Sequence, residues 1–221
     1  MDITALIALS MGAAWASGLN LYAACAVLGL MGATGSVDLP TGLEVLQNPW
    51  VIAAAGAMYV VEFFADKIPG VDSAWDTIHS FVRIPAGAVL AATVFADAGT
   101  GEMLIAGAGG AALTATTHAI KAGTRLMINT SPEPVTNWTA SVTEDVAVIG
   151  GLWLALAQPA VFIGLLVLFI LLAIWLLPKI WRAIRALFAR IGRLLGKETE
   201  APSLSGVRVT FGRKQIDTDG A

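Results

Sequence analysis

"PAVFIGLLVLFILLAIWLLP", residues 159–178, is twenty residues long and carries no charge. A helix needs about 20 apolar residues to cross about 30 Å of hydrocarbon, so this run predicts a membrane span. Apolar on all sides, it should face lipid over most of its surface. The rest of the chain agrees: of 221 residues, 57% are hydrophobic and only 13% charged, and the mean hydropathy is +0.76. That composition excludes an ordinary soluble domain.

Working outward from that span, the apolar runs predict six helices, at about 3–32, 49–66, 72–96, 102–128, 135–157 and 159–178. Breakers separate them: "GATGSVDLPTG", "KIPG", "DAGTGE", "NTSPEP" and "QP". The first run opens on Asp2 and no Lys or Arg precedes Lys67, so it reads as a retained helix, not a secretory leader. Cys25 is the only cysteine, which leaves no intrachain disulfide and no cysteine metal cluster.

Six crossings place both termini on one face, and the positive-inside rule selects it. Asp38, Glu44, Asp97 and Glu102 fall in the loops of the other face, without a basic residue. Lys67, Lys121, Arg125 and a basic C-terminus fall on the near face. The expectation is an all-α, multi-pass protein of a bacterial inner (cytoplasmic) membrane, both termini cytoplasmic, with two polar cytoplasmic hairpins.

From Lys179 onward there are nine Lys/Arg against four Asp/Glu. Within 179–198, Ile180, Ile184, Leu187, Ile191 and Leu194 share a stripe, with Arg182, Arg185, Arg190, Arg193 and Lys197 largely elsewhere. This predicts a basic amphipathic helix lying on anionic lipids. Directly after a span, the pattern argues against nucleic acid. Residues 1–178 therefore read as the transmembrane domain, and 199–221 as a flexible polar tail.

The polar residues fall at helical spacing. Glu62 and Asp66 are one turn apart; Asp72, Asp76, His79 and Arg83 follow at i, i+4, i+7 and i+11; His118, Lys121 and Arg125 at i, i+3 and i+7; Asn137, Ser141 and Glu144 form a fourth stripe with Asp145 at its edge. Asn20 stands among apolar residues in the first helix, where a buried amide needs a partner. Ionisable groups inside a membrane mark pathways by default. The leading expectation is a small transporter or channel-like permease for an ion or small polar solute, with a water-filled, cytoplasm-facing vestibule walled by these stripes. A structural or assembly role, in which the charges only fix helix packing, is the alternative.

A lipid-modifying enzyme comes third, with carboxylates or Asp76, His79 and His118 around a metal. No H-E-x-x-H, G-x-S-x-G or Gly-rich phosphate loop occurs, and "ADKIPGVDSAWD" lacks the paired-aspartate signature of membrane phosphotransferases. No catalytic residue or cofactor is assigned, metal binding stays open, and a homodimer is allowed by the small volume six helices enclose. A shift of 63 residues superposes Pro69 on Pro132, Trp75 on Trp138 and Gly87 on Gly150, as an internal repeat would.

The blocks "SGLNLYAACAVLGL", "LEVLQNPWVIAAAGAMYVVEFFADKIPGVDSAWDTIHSFVRIPAGA" and "HAIKAGTRLMINTSPEPVTNWTASVTEDVAV" resemble the domain-of-unknown-function 4126 family of multi-pass membrane proteins, over about residues 10 to 155. The resemblance implies an intact membrane domain with the polar hairpins as its signature. It implies no activity and no catalytic residue.

Overall fold

The computed structural model describes residues 1–68, 70–130 and 134–194. Their regular structure is all helical: α1 (Ile3–Ala33), a 3-10 helix (Thr41–Gln47), α2 (Pro49–Ala65), α3 (Val71–Thr93), α4 (Thr100–Ile128), α5 (Pro134–Ala157) and α6 (Pro159–Leu194), with no strand among the described residues. Ile3–Ala33, Thr100–Ile128, Val135–Ala157 and Pro159–Arg190 are long and apolar enough to cross a membrane, and the 3-10 helix with α2, bent by 69° between them, makes a fifth candidate. The chain is that of a membrane protein.

Local chemistry sets the helix starts. Asp2 accepts the Ala5 N–H (2.7 Å) and Asn48 accepts the Trp50 N–H (2.9 Å) ahead of Pro49, a residue suited to a first helical position. Gly70, at φ 86°, supplies the left-handed residue before α3. Asp72 Oδ1 accepts from the N–H groups of Gly70 and Ser73 and so ties the turn into the helix.

α1 touches the 3-10 helix and α2 to α5, so it is the centre of the bundle. It is also not straight. Met1 and Leu6, at its start, line one cavity of about 300 Å³ together with Asp38, Leu39 and Pro40, which follow its end. A straight helix of 31 residues would separate its ends by about 46 Å, and the few residues after Ala33 return over no more than about 20 Å. The chain therefore doubles back, and it does so at Asn20, whose φ −150° and ψ 97° are extended.

The neighbours confirm both directions. Residues 3–19 run antiparallel to α3, with the Ser10 hydroxyl on Ala91 O (2.9 Å) and Leu19 O reached by Arg83. Residues 21–33 run the other way: Tyr22 meets His79, Cys25 lines a groove with Pro85 and Val89, and Gly29 lies against Leu46 and Ile52.

α1 enters and leaves at the same end, the one that also holds Asp38, Asp97 and the start of the 3-10 helix, where Thr41 bonds Asp97 (2.7 Å). α2 to α5 then run the length of the bundle alternately. α6 follows α4, with Phe162 beside Gly12 and Ile180 beside Gly123. Residues up to Arg185 form one compact unit; Ala186 onward is a second, described only as the last turns of α6.

Neither Pro85 nor Pro178 ends its helix. α6 carries the apolar run on past 178, so the limit there is one of composition. The predicted tail from Thr199 lies outside the described residues. The 63-residue shift carries the end of α2 (Ala65) onto the end of α4 (Ile128) and the start of α3 (Val71) onto that of α5 (Pro134).

Small residues let the central helix be surrounded closely. Gly18 abuts Thr117 and the Thr114 carbonyl, Gly110 abuts Ala91, and Gly151 lies under Trp15. A Cβ at Gly87 would fall on the Thr114 side chain, whose hydroxyl is held by Ala14 O at 2.8 Å. Gly87→Val should therefore destabilise the fold by about 1–3 kcal/mol or more, read as a lower detergent melting temperature, while Gly56→Val, with open space at its Cβ, should change little.

Candidate functional site

The break at Asn20 exposes backbone that a continuous helix would have satisfied. Asn20 repairs part of it: its Oδ1 accepts the Ala23 N–H (2.9 Å), capping the returning arm, and its Nδ2 donates to Asp145 Oδ1 (3.2 Å). On the other side of the break the Leu19 carbonyl accepts from Arg83 Nη1 (3.1 Å) and Lys121 Nζ (2.9 Å). The tip of α1 is thus held by two cations and, through its amide, by one carboxylate.

Those cations belong to a linked network. Arg83 pairs with Glu62 (2.5 Å) and stands 3.2 Å from Asp76. Lys121 is the hub, 2.9 Å from Asp66, 3.3 Å from Glu62, 3.5 Å from Glu144 and 3.7 Å from Asp76. Arg125 takes Glu144 in a two-pronged pair (2.8 and 3.3 Å) and gives Nη1 to the carbonyls of Asp66 and Asn137. Four helices and one broken tip supply these groups, which is why no single stripe could have shown the set.

The expected vestibule is not what the stripes enclose. Glu62, Asp76, Arg83 and Arg125 are 0% exposed, and of the expected site residues only Glu144 is more than marginally accessible. The stripes meet around each other, because opposite charges on facing helices are within reach and their pairing excludes water. Five carboxylates nonetheless keep buried oxygens without a hydrogen bond: Glu62 Oε2, Asp66 Oδ1, Asp72 Oδ2, Asp145 Oδ2 and both oxygens of Asp76. Four carboxylates face three cations, an excess of one negative charge.

The remaining expected residues sit at the edges. Asp72 accepts from Asn129 (2.7 Å), which in turn accepts from Asn137 (2.9 Å). His118 bonds Ser80 (2.6 Å) and lies 3.4 Å from Arg83. His79 stays apart: it is stacked on Trp75, with its Nδ1 at Trp75 O. The two histidines do not converge, and no group of three or more His, Cys, Asp or Glu among the described residues is arranged to hold a metal ion. The Leu19 carbonyl, Ser80 and Asn129 join the site without being among the expected residues. Only Asn129, at the end of a polar stripe, carried a signal.

A family model, described as a domain of unknown function, DUF4126, matches residues 7–179. The chain belongs to the DUF4126 family. The DUF4126 match takes in the apolar run of α6 as well as the polar hairpins, so it reaches beyond the blocks that carried the resemblance. No curated protein and no solved structure matches this chain. The network and the tip of α1 both lie inside the DUF4126 domain.

Proposed function

We propose that this protein is a small permease, a transporter or channel-like pathway for an ion or small polar solute, in a bacterial inner membrane. The broken tip of α1 and the ion-pair network form its closed gate. The single observation that carries this is the fold-back at Asn20, which puts an opened helix into a charged cluster. Non-helical backbone at membrane depth is tolerated where protein buries it or where it lines a path, and broken helices hold the substrate sites of many transporters.

The network's energetics point the same way. Burying each charge costs several kcal/mol even when paired, and apolar packing would fix helix register at lower cost. The surplus carboxylate and the unfilled oxygens are what a moving cation or proton needs.

The acidic end, with the N-terminus, Asp38 and Asp97, is assigned to the outside, and the end with Lys67 and Lys179 to the cytoplasm. The chain then has five crossings and one re-entrant helix pair, with the C-terminus inside. Lys179, over the Trp175 ring at 3.0 Å, and Arg182 and Arg185 beyond it would meet anionic lipid there.

A structural role has one observation in its favour, the closure of the pairs. The full chain in proteoliposomes, with dyes reporting H⁺, Na⁺ and K⁺, separates the two. Gradient-driven flux should appear and fall at least about tenfold in Asp76→Asn while the fold persists. Absence of flux, with folding lost on substitution and regained by exchanging Glu62 and Arg83, would favour the structural reading.

A further inference from the structure

The carboxylates of the network each have a cation at ion-pair distance; Asp145 does not. It is 8% exposed, its Oδ1 takes the Asn20 amide, and its Oδ2 is buried with no partner. Among the described residues no Lys, Arg or His lies within ion-pair distance of it. α5 packs against α1 and α4. α1 presents the neutral Asn20, and α4 presents Lys121 at longer range. The Tyr59 hydroxyl of α2 stands against the carboxyl without satisfying Oδ2, with Glu62 one turn further along that helix. Lys67 lies beyond, in the turn after α2. The adjacent Glu144 turns away to Arg125.

An ionised carboxylate that meets only neutral donors, the Asn20 amide and the nearby Tyr59 hydroxyl, and whose Oδ2 is buried, is costly, whereas the neutral acid is not. Asp145 Oδ2 itself is buried, so a hydrated cation has no room against it. A proton needs none. We infer that Asp145 is the proton-binding group of the gate: the closed tip holds it as the acid, and loss of the proton opens the tip to water. The clause about opening rests on the permease reading; the binding of the proton does not.

The step is a simple acid–base exchange. Water at the basic end supplies the proton, an O–H bond forms at Oδ2, and on release the proton returns to water with no change of oxidation state. A polar line reaches the site from that end, since Lys67 Nζ is 3.3 Å from the Ser141 hydroxyl and Ser141 precedes Asp145 by one helical turn.

The test is infrared difference spectroscopy of the full chain in lipid nanodiscs, between about pH 9 and pH 5, the range in which buried carboxyls titrate. The carbonyl band of a protonated, buried carboxylic acid should grow on acidification, vanish in Asp145→Asn and persist in Asp76→Asn. No such band in the natural chain, or an unchanged one in Asp145→Asn, overturns the proposal. Should Asp145→Asn fail to fold, Tyr59→Phe serves: losing a donor to the ionised form should move the band's midpoint to higher pH, and an unmoved midpoint overturns the proposal too. Ion flux on the same preparations separates the two readings. The band without any flux removes the permease and leaves the proton site; flux indifferent to pH across this range leaves the permease and removes proton control of the gate.

Discussion

Arg83→Met is expected to cost about 3–5 kcal/mol of stability, the largest loss of any substitution considered, because it strands charges where water does not reach. Arg83 is 0% exposed and serves Glu62, Asp76 and the Leu19 carbonyl at once. Methionine fills much of the same volume, so the deficit is electrostatic and not a cavity. Lys121 still reaches Glu62 after the change, but Asp76 keeps only that lysine, at 3.7 Å. Adding Glu62→Gln removes one stranded charge and should recover at least half of the loss, a coupling that a double-mutant cycle measures directly. Lys179→Met, at an exposed position on α6, should stay within about 0.5 kcal/mol. Denaturant titration in detergent micelles checks all of these.

Asn20→Leu is the second large effect, and it should fall more on function than on stability. Losing the cap on Ala23 costs about 1 kcal/mol, and leaving the Asp145 oxygen without its donor costs about 1–3 kcal/mol. Leucine is also a good helix former, so the substitution favours closing the break on which the gate depends. Flux in proteoliposomes should drop by at least about tenfold, more than the same loss of stability produces at Gly87. Asn20→Ser, a residue that still caps, should retain more of the fold than of the contact to Asp145. Equal losses of flux and of melting temperature across the three variants would show that Asn20 only packs.

The sequence made the helices legible because long apolar runs end at Pro, Gly and charged turns, and the polar faces of α2 to α5 legible because their stripes keep helical spacing. It hid the fold-back of α1. Residues 3–33 are apolar or small almost throughout, and the one amide among them, Asn20, has no Pro or Gly pair beside it to announce a turn. The break is instead imposed from outside, by Arg83 and Lys121 taking the Leu19 carbonyl and by Asp145 taking the amide. Helical spacing places each stripe on one face, but whether faces enclose water or one another depends on the partner helix. Here Glu62 and Asp66 of one hairpin meet Lys121 and Arg125 of the other.

Everything proposed for the gate depends on α1 entering the bundle and returning. A distance measurement by pulsed electron spin resonance tests that directly, with nitroxides on Ile3→Cys and Asp38→Cys, both exposed, in a Cys25→Ala background in lipid nanodiscs. The two sites belong to one end of the molecule, so a separation below about 25 Å is predicted, against about 46 Å for a straight 31-residue helix. A distribution centred on the longer distance would contradict the re-entrant tip.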